Sequence, residues 1–376
     1  MRTFSFASHS TSDIREQLHS LEKKDFNYEL AFVFATPRSD IKQVSKIFSD
    51  CKTPVVGCST GGNILVDEGD KVIYEDMPVI TLLEIDSKHF SYLCLEREDR
   101  SSYDFGEEIG KWGHNEFSKP NFIVIACGLS LNGEEFVNGI VAAAGKDTVL
   151  FGGLAGDETK FEQNYVFSRE KLIESGAIAI AFDSEHIDMS GIATSGWVGL
   201  GKDLTVTSSE SNIVYSIDHE PALNVYKKYL NVKDSDLPAV GVEYPLLIKR
   251  DDGSSALRAV MGVDKEMKSL LFAGSVPENA TVSFSSSPGF EVIDRTCEKI
   301  DEFYNKHPEA DVLLLFSCMA RHLALGPMIS EEISFPARKW GLPVAGFFTY
   351  GEFGTNTGSS SGFFNQTYTL VILKEK

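Results

Sequence analysis

The sequence predicts an α/β to α+β protein of two domains, built from repeated strand–helix–strand units around mixed, largely buried sheets. Three recurring segments carry this expectation. The run Pro54-Val-Val-Gly-Cys-Ser-Thr-Gly-Gly-Asn-Ile64 nearly recurs as Pro343-Val-Ala-Gly-Phe-Phe-Thr-Tyr-Gly-Glu-Phe353. Pro54/Pro343, Val55/Val344, Gly57/Gly346, Thr60/Thr349 and Gly62/Gly351 are identical. A looser version is Val149-Leu-Phe-Gly-Gly-Leu-Ala-Gly-Asp157. Each copy closes a short apolar run and ends in a Gly-bracketed turn with a polar or acidic residue: Asn63, Asp157 or Glu352. Glycine adds no side chain and permits φ > 0, so such turns let backbone approach a ligand closely.

The elements follow in order. Residues 11–24 predict an amphipathic helix, with Ile14, Leu18 and Leu21 on one face and Asp13 and Glu16 in the first turn. A buried strand at 30–35, a helix at 39–50 and a returning strand at 54–58 make a βαβ unit. Strands at 79–85 and 90–95 are expected to pair antiparallel. A helix at 104–114, a strand at 122–127, a helix at 134–144 and a strand at 148–151 come next. Strands at 177–182 and 187–194 lead to a boundary near 196–205, where Gly196, Gly199 and Gly201 precede a Ser-rich run. This gives domains 1–200 and 201–376. A helix is expected at 219–230, and then strands at 244–248, 256–263, 269–272 and 280–285. A long helix at 290–307, a strand at 311–317, a helix at 329–340 and strands at 343–348 and 363–373 close the chain.

The chain has 376 residues, which suits two or three domains, and a net charge of −20 with no Lys/Arg cluster. That balance disfavours nucleic acid and anionic membrane surfaces. No apolar run reaches the roughly 18 residues of a membrane helix, and the N-terminus lacks the apolar core of a secretory signal. The six cysteines include no Cys-x-x-Cys pair, which fits reduced thiols in the cytoplasm.

Gly57-Cys-Ser59-Thr-Gly61 matches the Gly-x-Ser-x-Gly pattern of a serine-hydrolase elbow. An architectural turn outweighs that alternative: the segment after it lacks helical periodicity, and the related turns have no serine at the matching place. With Asn63 where a phosphate loop needs Lys, nucleotide binding is unsupported as well. Ser317-Cys318-Met319-Ala320-Arg321-His322 ends an apolar strand, where ligand-contacting groups sit in α/β proteins. Arg321 is a candidate clamp for a carboxylate or propionate, weighed evenly against a structural ion pair with Glu331 or Glu332. His322, and after it His219 at an expected helix start, are candidate axial ligands if haem binds. Phe347, Phe348, Tyr350 and Phe353 read as core or pocket wall.

Together, Val55–Asn63, Phe151–Asp157, Pro221–Tyr226, Phe316–Arg321 and Gly346–Glu352 resemble the FIST family, which pairs an N-terminal with a C-terminal FIST domain. Two positions depart: Asn63 where relatives often have Glu, and Met319 in place of a Gly. The resemblance implies a non-enzymatic, stand-alone cytoplasmic sensor that binds a small ligand and relays the signal to a partner such as a histidine kinase. The ligand would be an amino-acid-like metabolite or haem, and some such relatives are haem-based nitric-oxide sensors. Arg321, Glu352, Thr349 and Cys318 are the expected contacts, with Thr60, Asn63 and Asp157 from the other turns. A homodimer is left open, and neither membrane insertion nor nucleic-acid binding is expected.

Overall fold

The computed structural model describes residues 1–49, 53–67, 72–233, 236–237, 239–249, 255–287, 289–355 and 361–376. The last residue of the helix expected at 39–50 lies outside these, as does Cys51. Alternating apolar runs and amphipathic stretches fold into one motif, repeated three times. The first unit contains β1 (Arg2–Ala7), α1 (Thr11–Glu22), β2 (Leu30–Ala35), α2 (Ile41–Ser49), β3 (Val55–Ser59), the short strands β4 (Asn63–Val66) and β5 (Ile73–Tyr74), and β6 (Val79–Glu84). The second contains β7 (Phe90–Glu96), α3 (Ser102–Glu116), β8 (Pro120–Cys127), α4 (Gly133–Ala144), β9 (Leu150–Ala155), β10 (Val166–Phe167), β11 (Leu172–Ile173) and β12 (Gly176–Asp183).

The third unit opens with β13 (Ile187–Thr194) and is then interrupted by an insert. The insert holds β14 (Val198–Glu210), β15 (Ile213–Ile217), β16 (Glu220–Pro221), α5 (Ala222–Leu230), α6 (Ala239–Glu243), β17 (Leu246–Lys249), β18 (Ser255–Arg258), β19 (Val260–Asp264), β20 (Ser269–Phe272) and β21 (Thr281–Ser286). The unit resumes with α7 (Glu291–Lys306), β22 (Val312–Cys318), α8 (Met319–Leu325), α9 (Ile329–Trp340), β23 (Val344–Thr349), β24 (Glu352–Thr355), β25 (Ser361–Phe364) and β26 (Tyr368–Glu375).

The three units exchange hairpins in a ring. Each six-stranded sheet has the same order: β1-β6-β2-β3-β10-β11, β7-β12-β8-β9-β24-β25 and β13-β26-β22-β23-β4-β5. In each, the third and fourth strands are the parallel pair of a βαβ crossover and the other neighbours are antiparallel. The last two strands always come from another unit. The first unit gives its hairpin to the third, the second to the first, and the third to the second.

Side-chain alternation has the same phase throughout. Phe32, Phe34, Ile123, Ile125, Leu314 and Phe316 meet in a central core shared by all three sheets. Their neighbours in sequence pack outward: Ala31 and Val33 under α1 and α2, Phe122 and Val124 under α3 and α4, and Leu313 and Leu315 under α7 and α9. Strands buried on both faces therefore read as continuous apolar runs.

This exchange corrects one expectation. The strands at 79–85 and 90–95 form but do not pair with each other: β6 lies between β1 and β2, and β7 pairs with β12. Their closeness in sequence marks the passage from one unit to the next. The position 200/201 falls inside β14, and strands from both sides of it share two of the sheets, so the two halves of the sequence are interlocked. The insert has its own core, and its curled sheet begins with β18 and ends with β19, which are consecutive in sequence.

Close backbone approach explains two of the repeated glycines, and at Gly57 it is the Phe167 ring that leaves no room for a Cβ. A Cβ on Gly346 would lie 1.8 Å from the Leu315 carbonyl oxygen, and one on Gly152 would lie 1.9 Å from that of Val124. Gly346→Ala is expected to destabilise the protein by about 1–3 kcal/mol in urea unfolding, because the parallel strands must separate. An unchanged midpoint would contradict that packing. No helix among the described residues is long and apolar enough to cross a membrane.

Candidate ligand site

The hairpins leave their own sheets at the carboxyl ends of the parallel strands, so the three Gly turns meet there. Gly61 N–H donates to Phe348 O (3.0 Å), Gly156 N–H to Ser59 O (3.0 Å) and Leu154 N–H to Gly351 O (2.8 Å), closing a ring of backbone bonds. The turns are thus strand crossings first. Ser59 is fully buried, and its hydroxyl oxygen accepts the Tyr165 N–H at 2.8 Å. It ends β3 and is not presented on a nucleophile elbow.

The first and third turns share one internal bond. Thr60 Oγ1 donates to Asn63 Oδ1 at 2.6 Å, and Thr349 Oγ1 donates to Glu352 Oε1. Both acceptors then brace the segment ahead of the unit's last strand. Asn63 Nδ2 donates to Met77 O (2.8 Å), and Glu352 Oε2 accepts from Thr367 N–H (3.1 Å). Asp157 holds the second turn by accepting the N–H groups of Phe161, Glu162 and Gln163 and the Tyr350 hydroxyl. Burial raises the Asp157 pKa, but these donors outweigh it and hold the carboxyl below its ordinary range.

One crossing opens into a cleft of about 70 Å³ between the third unit, the loop after Asp157 and the insert. Cys318, at the end of β22, and Thr349, at the end of β23, line one wall together with Met319 and Leu323 of α8. The Phe161 and Tyr350 rings, stacked at 4.9 Å, and Met261 of the insert form the other sides. Asn365 closes the cleft. It is 2% exposed, and its Oδ1 has no hydrogen-bond partner. That oxygen is sealed from solvent, and a buried acceptor left without a donor is costly.

Behind Thr349 and Cys318 lies Glu352, fully buried. Burial raises its carboxyl to about 8, against the opposing pull of Thr349, Thr367, Cys318 and Arg321. The Cys318 thiol is pushed up mainly by burial and next by the Glu352 charge, which leaves it protonated. Of the expected contacts, Thr349 and Cys318 line the cleft and Glu352 stands directly behind them. Thr60, Asn63 and Asp157 lie in the adjoining turns, with their polar groups already committed.

Arg321 is not available to a ligand, which settles the even choice in favour of the ion pair. Nε and Nη2 bond the two Glu332 oxygens at 2.7 and 2.6 Å. Nη2 also reaches Thr296 Oγ1 (2.7 Å), and Nη1 donates to Ser195 O and Gln366 O. All five guanidinium protons are used, with the Trp197 ring 5.2 Å from the guanidinium carbon. Asn365 went unnoticed in the sequence, where nothing in Phe363-Phe364-Asn365-Gln366 marks one amide over the other.

Residues 29–220 match the family model of the FIST N domain, and residues 222–355 match that of the FIST C domain. The chain belongs to the FIST family. FIST domains are associated with sensory signal transduction and the binding of small ligands. A comparison with curated proteins found no match. In this FIST protein the join between the two matched segments falls at β16 and α5, inside the insert.

The two histidines named for haem sit in different settings, His322 on α8 and His219 in the insert. The His322 ring is stacked on Phe348 at 4.2 Å with its Nδ1 buried and without a partner, and burial lowers its pKa, against a weaker opposing pull from Glu75, which favours the neutral ring. The cleft beside α8, about 70 Å³, is far smaller than the roughly 300–1,000 Å³ of sites for larger organic ligands. His219 sits in the insert on an exposed two-residue turn between β15 and β16, with φ +63° after Asp218 at +47°. Such a turn joins antiparallel strands. It replaces the helix start expected there, since α5 begins only at Ala222.

Proposed function

We propose that this FIST protein is a non-enzymatic sensor whose cleft at the third crossing takes one small molecule and whose occupancy is relayed to a signalling partner such as a histidine kinase. The observation that carries this is an apolar cleft at the carboxyl ends of two parallel strands, lined also by Met261 of the insert and the Phe161–Tyr350 ring pair. The setting suits relay. Cleft-lining α8 also carries Arg321, which bonds Ser195 just before the insert and Thr296 just after it, so a ligand against α8 bears on both connections. The described cysteines Cys58, Cys94, Cys127, Cys297 and Cys318 are unpaired, in keeping with a cytoplasmic setting.

The test is a thermal-shift screen of the full chain against small metabolites, including the amino acids. A ligand at 100 times its Kd adds about 2.7 kcal/mol of apparent stability. Ala320→Trp, which fills the cleft from α8, is expected to remove the shift, measured against the variant's own unliganded melting temperature. A ligand that still stabilises Ala320→Trp binds elsewhere.

A further inference from the structure

We propose that the cleft takes an uncharged aliphatic ligand, such as a short-chain alcohol bound by its alkyl end, and that Met319 limits the length of that chain. This deepens the ligand-site reading of the cleft and rests on it. The wall is almost wholly apolar, and no Asp, Glu, His, Lys or Arg is among the described residues that line it. Its few polar groups are engaged or buried. The Tyr350 hydroxyl donates to Asp157 and accepts the N–H groups of Asp157 and Thr159, so Tyr350 has only its ring left to offer. The hydroxyl protons of Thr159 and Thr349 go to Glu158 O and Glu352. Cys318 and Asn365 are both buried.

The apolar wall is itself arranged. In the β19–β20 pair Val260 is opposite Phe272 and Gly262 opposite Leu271, so Met261 is the extra residue of a bulge. A bulge re-aims the side chain it carries, and this one lines the cleft. Met319 reaches from the start of α8 to the first Gly turn, where a Cβ on Gly61 would lie 2.9 Å from its sulfur. Methionine is unbranched and adapts to the shape of an apolar partner. Phe161 and Leu323 stay 48% and 59% exposed, and an alkyl chain seated between them covers apolar surface that now meets water.

Charge and size then select the ligand. An ammonium or carboxylate entering this wall gives up its water and gains no partner, whereas an alkyl chain gives up nothing polar. The cleft holds about 70 Å³. An apolar cavity of about 150 Å³ holds benzene, so a chain of a few carbons fills this one and leaves its hydroxyl in solvent at the mouth. Met319 stands between that volume and the first turn, which makes it the residue that ends the chain's path.

The experiment follows the methyl resonances of Met261 and Met319 in the full chain at pH 7 while 1-butanol, butylamine and butyrate are added separately. The three share an alkyl body and differ in charge. The alcohol is expected to shift both resonances saturably and to bind at least tenfold more tightly than either ion. From ethanol upward, affinity is expected to rise about fourfold per added methylene and to level off once the cleft is full. Met319→Ala, read at Met261, is expected to move that levelling-off to a longer chain. A levelling-off that stays in place overturns the role of Met319. If butylamine or butyrate binds as tightly as the alcohol at these methyls, the uncharged class falls while the cleft stands as the ligand site. If no alcohol moves either methyl, the proposal is overturned. If, in addition, a metabolite from the thermal screen stabilises Ala320→Trp as it does the natural chain, the cleft reading falls with it.

Discussion

Arg321→Met is expected to destabilise the protein by about 3–5 kcal/mol, the usual cost of removing one member of a fully buried ion pair. Both Arg321 and Glu332 have side chains that are 0% exposed, so the substitution leaves a carboxylate in the interior with no cation beside it. Thr296 Oγ1 and the carbonyls of Ser195 and Gln366 lose donors at the same time. The partner substitution decides what kind of effect this is. Arg321→Met with Glu332→Leu removes both charges, and most of the lost stability is expected to return, because apolar replacement of a whole buried pair is often near neutral. Urea unfolding of the two single variants and the double variant measures the cycle. If Arg321→Met kept its unfolding midpoint but lost ligand binding, Arg321 would be the ligand clamp after all.

That reversal shows what the sequence could and could not convey. An Arg directly after an apolar strand has to be satisfied, but whether by a ligand or by Glu332, eleven residues on, depends on how α8 and α9 pack. The elements themselves were legible. Ile14, Leu18 and Leu21 do face the sheet from α1, and 329–340 is the span of α9 as observed. The repeated turns were legible too, because the glycines within and just after the fourth strand of each sheet recur in the sequence, if not at every aligned position.

The partners of the strands were not legible. Asn63–Val66 follows two glycines and precedes a polar stretch, so it reads as a loop. It is a strand because β23, some 280 residues later, offers it an open edge. A hairpin that pairs outside its own unit leaves no local signal, since its residue types are those of any short strand. For the same reason two adjacent strands such as β6 and β7 invite a pairing that the ring of exchanges forbids. Asn365 is the corresponding case at the site, an amide whose importance arises only from the missing donor opposite it.

Glu352→Gln carries the second large effect, and its signature is a dependence on pH. Glu352 is raised in the folded protein to about 8, chiefly by burial, from an ordinary carboxyl value near 4.5. A raised folded pKa means that the protein binds this proton more tightly folded than unfolded. The stability contributed is fully present below about pH 4.5 and is lost as pH rises towards 8, where the carboxyl ionises inside the protein. Glutamine has the same shape and does not titrate; its one oxygen can accept the Thr367 N–H while its amide N–H faces Thr349 Oγ1, whose proton can turn to Ser317 O. The stability of Glu352→Gln relative to the natural chain is therefore expected to climb with pH by at most about 1.4 kcal/mol per unit, levelling off above 8. Between pH 5 and 8 the total is on the order of 3–4 kcal/mol. Other titrating groups are common to both chains and cancel in the difference, so urea unfolding at pH 5, 6.5 and 8 isolates the one carboxyl. Two parallel stability profiles would mean that Glu352 is already ionised at neutral pH.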